Sequence, residues 1–393
     1  MTSVLDARPA PGAHVRHRKP VPWRHLDVLL AVTVVAIAAF GVVMVWTATR
    51  VPLEAAGVSG LAIAKKQAIF SALGVVVMVV VAAVDYRHYR DWAPVIYGGT
   101  LFLLVAVFAV GHRVSGAQAW FQVGPYQFEP SEAAKLALIV ALAAYASSFK
   151  GRLHGRALLA VIAMAAVPFV LVYKQPDLGS ALVLLAILAA VVVVAGARAR
   201  HLAALGLMAV LVMVSVVQFG LLRGYQEARI AGFLHTPAQA SPALLQSIAG
   251  ANIYNIVEAK NAISQGGLLG SGIGRGQATN LSQVPAQQTD FIFSAVGEQV
   301  GLVGSAVLLA LYLLVMWRTW RAALLSRDLL GKLLCAGVLG YLVFQTFENV
   351  GMNMGIMPVA GIPLPWVSYG GSAVLVEFAA IGLVLNVRMH RFG

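Results

Sequence analysis

Two acidic residues, Asp290 and Glu298, stand where a long polar stretch of the sequence meets an apolar run. Asp290 is followed at once by apolar residues, and such surroundings suit a carboxylate that acts as a general base. Glu298 lies about two helical turns further along the same broad stripe, and an ionisable group within an apolar helix is a functional candidate. Each has a structural alternative, because Asp290 can stabilise a helix N-terminus and Glu298 can lock two helices together.

A second group of ionisable residues, Glu132 and Lys135, follows Pro130 and Ser131, a pair that favours the start of a helix. A spacing of three places both ionisable side chains on one helix face, where they can pair. Within a membrane span such a pair is costly unless it lines a wet cavity, and a structural ion pair is the alternative. Trp120, just upstream, fits an interfacial anchor.

A third motif, Lys174-Gln175-Pro176-Asp177, forms a break between two apolar runs. Asp177 can cap the helix that follows, and this role explains the residue fully. Capping does not explain Lys174 and Gln175, which could meet phosphate groups or sugar hydroxyls.

The fourth motif is a Gly- and Pro-rich segment, 351–371. It predicts non-helical backbone, which a membrane protein tolerates where it is covered by protein or lines a cavity. Its glycines allow close approach to a ligand, and a rigid re-entrant turn is the alternative. A further Gly-rich stretch, 266–276, lacks the Gly-Lys-Ser/Thr signature of a phosphate-binding loop. The scattered histidines and the single Cys335 predict no protein-built metal site.

Composition indicates that membrane-spanning helices position these residues. Hydrophobic residues make up 60% of the 393-residue chain and charged residues 11%, against about a quarter charged in a soluble domain. Long apolar runs recur without the alternation of a β-barrel. The net charge of +13 does not indicate nucleic acid, because the basic residues lie mostly between the apolar runs.

The sequence thus predicts an all-α integral membrane protein with ten transmembrane helices. A long loop, about 223–290, separates spans seven and eight, and its part 241–264 has the spacing of an amphipathic helix that lies on the membrane surface. The predicted spans are 27–47, 67–84, 92–110, 131–147, 157–173, 178–196, 201–222, 291–316, 332–355 and 368–387.

The distribution of Lys and Arg predicts the orientation. With the N-terminus inside, the inner segments hold 18 of these residues and the outer segments nine, which together with Lys135 account for all 28. Residues 1–26 are then a disordered basic cytoplasmic tail, 27–387 the membrane domain and 388–393 a cytoplasmic C-terminus. The polar motifs and the long loop collect on the extracytoplasmic face.

Taken together, the motifs resemble the SEDS proteins of bacterial cell-wall synthesis, the FtsW/RodA/SpoVE family, over about residues 27–387. The forms of 174–178 and 349–352 look more like the elongation branch, RodA, than the division branch, FtsW. The chain departs from the family pattern at Glu129, Ala259, Glu348 and Trp366. The matching residues are Trp120, Pro130-Ser131-Glu132 with Lys135, Gln175 to Gly179, Tyr225-Gln226 with Arg229, Gly266-Gly267, Thr289 to Phe293 with Glu298, Pro358, Gly361, Pro363-Leu364-Pro365 and Ser368 to Ser372.

This resemblance implies the SEDS fold and a peptidoglycan glycosyltransferase that joins lipid II into glycan strands for cell elongation and cell shape. Asp290 matches the essential aspartate of the family, whose proposed role is general base on the acceptor 4-hydroxyl, with undecaprenyl pyrophosphate as the leaving group. Lys135, Lys174, Arg229 and Lys260 are candidate cations for the pyrophosphate. A divalent cation, Mg²⁺ or Mn²⁺, is an optional helper. The implied substrate-binding residues are Trp120, Glu132, Lys135, Lys174, Gln175, Asp177, Arg229, Lys260, Thr289, Glu298, Ser368 and Tyr369.

The resemblance also implies partners, namely a class B penicillin-binding protein that supplies transpeptidase activity and other cell-wall elongation proteins. The resemblance places the contact with the penicillin-binding protein on spans eight and nine and the long loop. Two other functions stay open. A lipid II flippase needs a polar path across the bilayer, for which Glu377 is the best residue, and a scaffold for wall enzymes needs no catalytic aspartate.

Overall fold

The computed structural model describes residues 25–114, 117–124, 126–149, 152–153, 155–203, 206 and 248–391. Its architecture confirms the all-α prediction. Each predicted span except span seven, 201–222, coincides with a helix, and most of span seven lies outside the described residues, as does the tail 1–24. The helices are α1 (Val28–Ala55), α2 (Ala62–Ala83), α3 (Tyr86–Val110), α4 (Pro130–Ser147), α5 (Arg156–Lys174), α6 (Leu178–Val194), α7 (Ile248–Gly266), α8 (Gln277–Asn280), α9 (Ile292–Leu324), α10 (Leu329–Asn353) and α11 (Gly371–Met389).

Seven helices in the described part of the chain, α1, α2, α3, α5, α9, α10 and α11, are long and apolar enough to cross a membrane. The protein is therefore a multi-pass membrane protein. Helix α6 is apolar but has only 17 residues, and α4 carries an ion pair near its start. The count of ten spans stays a prediction.

The ends of several helices meet around Asp27, at what we call the Asp27 end of the bundle. Asp27, which caps α1, accepts a hydrogen bond from Arg318 Nε near the end of α9 (2.8 Å) and pairs with Arg388 Nε near the end of α11 (3.1 Å). Tyr86, at the start of α3, donates to Asp328 before α10 (2.9 Å). Because Asp290 immediately precedes the opposite end of α9, it lies at the other end of the bundle, which we call the Asp290 end.

A small antiparallel sheet, which the sequence did not predict, lies between α3 and α4. Strands β1 (His112–Val114), β2 (Ala117–Val123) and β3 (Tyr126–Phe128) pair in the order β1-β2-β3. Strands β1 and β3 have only three residues each, and the seven residues of β2 do not alternate strictly between apolar and polar types. The rings of Tyr126 and Phe70 meet edge to face at 5.5 Å, so the sheet rests on α2 and leads the chain into α4.

The described part of the long loop, 248–290, packs against the bundle. Helix α7 confirms a helix within the predicted stretch 241–264. Its buried residues Ile256 and Ala259 form a small apolar core with Phe291 and Met352, so this face of the helix covers protein rather than the membrane surface alone. Residues 223–247 of the loop lie outside the described part.

The Gly-rich stretch 266–276 has a structural role. Helix α9 breaks at Gly301, whose φ is +67°. Backbone hydrogen bonds of 2.9–3.0 Å join residues 267–272 to residues 298–303 and satisfy groups that the break leaves without helix partners. A Cβ atom on Gly266 would lie 1.9 Å from the carbonyl oxygen of Gly297, so only glycine permits this contact.

Candidate active site

The turn that carries Asp290 is held by the segment before α11. The amide of Tyr369 donates to the carbonyl of Gln288 (2.8 Å), and Ser368 Oγ donates to the carbonyl of Thr289 (2.5 Å). Ser368 is buried, whereas Asp290 is partly exposed. Three of the residues that the sequence singled out, together with Asp290 itself, are therefore brought into one cluster.

Helix α10 holds the same turn from another side. Asn349 Nδ2 and Asn353 Nδ2 both donate to the carbonyl oxygen of Asp290, at 2.8 and 3.1 Å. Asn353 Oδ1 accepts from the amide of Ser294 in the first turn of α9 (3.0 Å). The backbone that carries the aspartate is thus held in place by two amide side chains of α10.

The hydroxyls of Thr289 and Tyr369 have different roles in this cluster. Thr289 Oγ1 donates to the carbonyl of Ala286 within its own turn (3.1 Å), so the hydroxyl helps shape the turn. Tyr369 is half-buried, and burial raises the pKa of its hydroxyl above the ordinary value. The phenol therefore stays protonated at neutral pH and can donate a hydrogen bond.

The second cluster is the buried pair of Glu132 and Lys135 in α4, whose atoms Oε1 and Nζ lie 2.7 Å apart. Carboxylates of Glu129 and Asp177 act electrostatically on Lys135 as well. The second oxygen of Glu132, Oε2, is buried without a hydrogen-bond partner. The predicted ion pair is therefore present, within a group of three acidic side chains and one ammonium.

Glu129, which precedes α4, departs from the family pattern and has an unusual titration. Its Oε1 accepts a hydrogen bond from Ser131 Oγ (2.6 Å). Burial, reinforced by the carboxylates of Asp177 and Glu132, raises the pKa of Glu129 to about 8. Most Glu129 side chains are therefore neutral at pH 7, which lowers the negative charge of the group.

A polar path runs from this pair along α10. Lys135 Nζ donates to Gln345 Oε1 (3.5 Å), and Gln345 Nε2 donates to Glu377 Oε1 in α11 (3.3 Å). Gln345, Asn349 and Asn353 are spaced by four, so they form one stripe of side-chain amides along α10. One end of this stripe meets the Glu132–Lys135 pair and the other end meets the Asp290 turn.

The connecting segment, which we define as residues 354–370, is non-helical but its described polar backbone groups are well bonded. Trp366 and Gly361 have positive φ. The side chains that bond it come from four helices, which fits the alternative of a rigid re-entrant turn. The bonds are Asn349 Nδ2 to Ile362 O (2.7 Å), Gln345 Nε2 to Pro363 O (3.0 Å), Tyr312 OH to Pro365 O, Trp366 N to Glu377 Oε2 (2.7 Å) and Gln67 Nε2 to Ser368 O (3.0 Å).

The turn between α5 and α6 contributes one residue to the second cluster. Asp177 Oδ1 accepts from the amide of Ser180 (2.9 Å), so it caps α6 as the sequence predicted. Gln175 is buried and donates to the carbonyl of Leu104 in α3 (3.0 Å), which makes it a packing contact in this state. Lys174 is exposed.

Glu298 is fully buried at the start of α9 and caps α8. Its Oε1 accepts from the amide of Ala278 (2.7 Å), while Oε2 accepts from the amide (3.0 Å) and the hydroxyl (2.6 Å) of Thr279. These bonds match the structural alternative, a buried contact that locks elements together.

The remaining candidate residues are Trp120, Lys260 and Arg229. Trp120 is partly buried in β2, opposite His112. Lys260 is exposed on α7, with its side chain against Gly355 in the connecting segment. Arg229 lies outside the described residues.

Four residues that hold the Asp290 end escaped the sequence reasoning as site residues, namely Gln67, Gln345, Asn349 and Asn353. The four-residue spacing of the three amides in an apolar span was the available signal, because buried polar groups in a membrane need partners. Gln67 carried no such pattern.

No group of three or more His, Cys, Asp or Glu side chains placed to bind a metal ion occurs among the described residues. Binding of Mg²⁺ or Mn²⁺ stays a prediction.

The bundle, with the Asp290 turn fixed at one end and a buried ion pair in α4, defines a multi-pass membrane protein with a polar interior. Comparison with known proteins identifies the family. The Cell cycle protein family of FtsW, RodA and SpoVE matches residues 27–392. The chain belongs to this family, and the names of two relatives show that it is a peptidoglycan glycosyltransferase.

Two relatives have nearly equal similarity to the chain. Peptidoglycan glycosyltransferase MrdB of Escherichia coli (strain K12) is 34% identical over 373 residues, which cover 93% of this chain and 94% of that protein. The probable peptidoglycan glycosyltransferase FtsW of Geobacter sulfurreducens is 33% identical over 366 residues, covering 92% and 94%. Such close values assign the family without separating its branches.

Two solved structures share the fold. A chain of a peptidoglycan synthase complex that coordinates polymerization and crosslinking is 33% identical, with a TM-score of 0.74 and coverage of 93% of this chain and 98% of that chain. The rod shape determining protein RodA of Thermus thermophilus is 30% identical, with a TM-score of 0.68 and coverage of 94% and 99%.

Proposed function

We propose that this protein polymerises lipid II on the extracytoplasmic face of the bacterial plasma membrane, with Asp290 as general base. The observation that carries the proposal is the placement of Asp290, whose turn is fixed by Ser368, Tyr369, Asn349 and Asn353 at the entrance to a membrane helix. A lipid-linked substrate presents its sugar at this level of the bilayer.

In the proposed reaction, the Asp290 carboxylate takes the proton of the acceptor 4-hydroxyl. The acceptor oxygen forms a bond to the anomeric carbon of the donor as the bond from that carbon to the pyrophosphate oxygen breaks. Undecaprenyl pyrophosphate leaves with the electron pair, and the proton on Asp290 passes to water. Positioned proton transfer of this kind contributes about 10²- to 10⁴-fold in rate.

The cations divide into two roles in this proposal. Lys135 is already bonded to Glu132 and Gln345, so it orients the interior of the site. Lys260 and Lys174 are exposed, and we assign them to the pyrophosphate, together with Arg229. Trp120 and Tyr369 then meet the sugars, because aromatic and hydroxyl groups suit a carbohydrate.

The proposed sidedness follows from the two ends of the bundle. Asp27 and Arg388, which lie near the two termini, meet at one end, and Asp290 lies at the other. With the basic residues inside, both termini are cytoplasmic.

Cysteine labelling tests this orientation after Cys335→Ala. An impermeant thiol reagent should label Thr289→Cys in intact cells and Arg391→Cys only in lysed cells. The reverse pattern contradicts the assignment.

We further propose a cell-elongation role with a class B penicillin-binding protein as partner, alongside other elongation proteins. The related chain of known structure belongs to a complex that coordinates polymerization and crosslinking. Exposed apolar side chains on α9 and α10, including Leu313, Val343 and Phe347, offer a surface for a partner helix within the bilayer. Co-purification from native membranes without any transpeptidase would contradict this partner.

The deciding experiment gives purified full-length protein labelled lipid II and measures glycan chains. Wild type should polymerise it and Asp290→Ala should not. A flippase would move lipid II across vesicles while Asp290→Ala remains active, and a scaffold would support wall growth in cells that carry Asp290→Asn. Either result contradicts the proposed chemistry.

A further inference from the structure

Glu377 in α11 is a buried carboxylate that the proposed chemistry does not use. It is 1% exposed. A carboxylate away from water is costly unless its oxygens are bonded. Both are bonded here, because Oε2 accepts from the amide of Trp366 (2.7 Å) and Oε1 accepts from Gln345 Nε2 (3.3 Å). Both oxygens are thus held by protein donors, one of them a backbone amide of the connecting segment.

Trp366 is the unusual partner in this contact. Its φ of +60° lies in the left-handed region, which bulky residues rarely adopt. The indole is fully buried, stacked on Tyr312 with ring centres 6.3 Å apart and edge to face with Phe378 at 6.5 Å. The bond to Glu377 fixes the backbone at the residue where the chain makes this turn.

From Trp366 the connecting segment leads directly to the catalytic turn. Two residues on, Ser368 Oγ donates to the carbonyl of Thr289, the residue before Asp290 (2.5 Å). Ser368 Oγ also accepts from the amide of Leu364 (2.8 Å), so the segment from Leu364 to Ser368 forms one closed loop around Trp366. A change in the Trp366 backbone therefore moves the group that holds Thr289.

We propose that Glu377 is a positioning residue for Asp290, acting through the backbone of Trp366 and the hydroxyl of Ser368. This inference rests on the proposed function of Asp290. It assigns Glu377 to the geometry of catalysis rather than to a path across the bilayer. Because Glu377 is 1% exposed and its oxygens are bonded to Gln345 and Trp366, a defect there should appear in kcat and leave KM unchanged.

The test is an exchange of the two partners. In Glu377→Gln, one oxygen becomes an NH₂ group that must face either Trp366 N–H or the Gln345 amide donor. In the double variant Gln345→Glu/Glu377→Gln, the new Gln oxygen accepts from Trp366 N–H and its NH₂ donates to the new carboxylate. That carboxylate still accepts from Lys135, but it loses the bond to the Pro363 carbonyl and faces that oxygen instead, so the recovery should be partial.

Glu377→Gln should lower kcat between about 10- and 100-fold, with KM within about twofold of wild type, because small displacements of a catalytic group have such costs. The double variant should recover at least about fivefold of the loss, as expected for groups in direct contact. Glu54→Gln is the matched control. It removes an exposed carboxylate at the Asp290 end of the bundle and should have the kcat and KM of wild type.

Wild-type kcat in Glu377→Gln, a loss confined to KM, or a double variant no better than the single would each overturn the inference. If Glu377→Gln does not yield folded protein, the double variant decides, since a kcat within about 20-fold of wild type supports the exchange and a larger loss overturns it. Asp290→Ala is assayed in parallel. Its full activity would reject the proposed function, whereas its inactivity beside a fully active Glu377→Gln rejects only this inference.

Discussion

Asp290 and Glu298 stand eight residues apart at the same junction of loop and helix, yet they differ in burial and in hydrogen bonding. Glu298 is fully buried, and its side chain accepts three hydrogen bonds from α8. Asp290 is partly exposed, and its backbone carbonyl takes the bonds from α10. One carboxylate is thus a structural cap, whereas the other belongs to a partly exposed residue on a turn whose backbone is fixed.

Replacing Glu298 should have the largest effect on stability, because its carboxylate caps α8. In Glu298→Gln, an NH₂ group faces donors of Ala278 or Thr279, and a buried donor without an acceptor costs about 1–3 kcal/mol. We expect a clear fall in the thermal midpoint of the purified protein. Asp290→Asn, the matched change on the same segment, should keep the wild-type midpoint, and an equal fall in both variants would erase the distinction.

Removing the hydroxyl of Ser368 tests whether the fixed turn positions Asp290 for catalysis. Ser368→Ala deletes the bond to the Thr289 carbonyl, so the Asp290 turn gains freedom and kcat for glycan synthesis should fall about tenfold. Steady-state kinetics with labelled lipid II measure this. The exposed Ser264→Ala, whose hydroxyl bonds only within α7, should behave as wild type. Unchanged kcat in Ser368→Ala would show that this bond does not position the aspartate.

Glu129 predicts a smaller, pH-dependent effect. Its pKa rises from 4.5 to about 8 on folding, so the folded state binds more protons than the unfolded state between these values. Stability is then lost as pH rises from about 4.5 to about 8. Glu129→Gln removes this titration and should be a few degrees more stable than wild type at pH 8, with little difference at pH 5. Parallel stability curves for the two proteins would contradict the assignment.

The sequence predicted most helices because apolar runs mark membrane spans directly. Their ends were less accurate, since a helix can continue beyond the hydrocarbon layer. Predicted span eight ended at residue 316, but α9 continues to Leu324. Polar residues such as Arg318, which pairs with Asp27, extend it at the Asp27 end. The short sheet between α3 and α4 gave no comparable signal.

The site was predictable where its contacts are local in sequence. The Glu132–Lys135 pair and the cap by Asp177 follow from spacings of three residues or fewer. Contacts between distant segments were not predictable. The bond from Gln67 to Ser368 joins residues 301 positions apart, so it depends on helix packing that a single sequence does not reveal.

The most direct test of the central claim compares glycan synthesis by purified wild type and Asp290→Asn at equal amounts of folded protein. The substitution keeps the shape of the side chain and removes the base. If Asp290 takes the proton of the acceptor hydroxyl, the variant should polymerise labelled lipid II at least about 100-fold more slowly while it keeps the wild-type thermal midpoint. A folded variant that makes glycan strands at the wild-type rate would contradict the account.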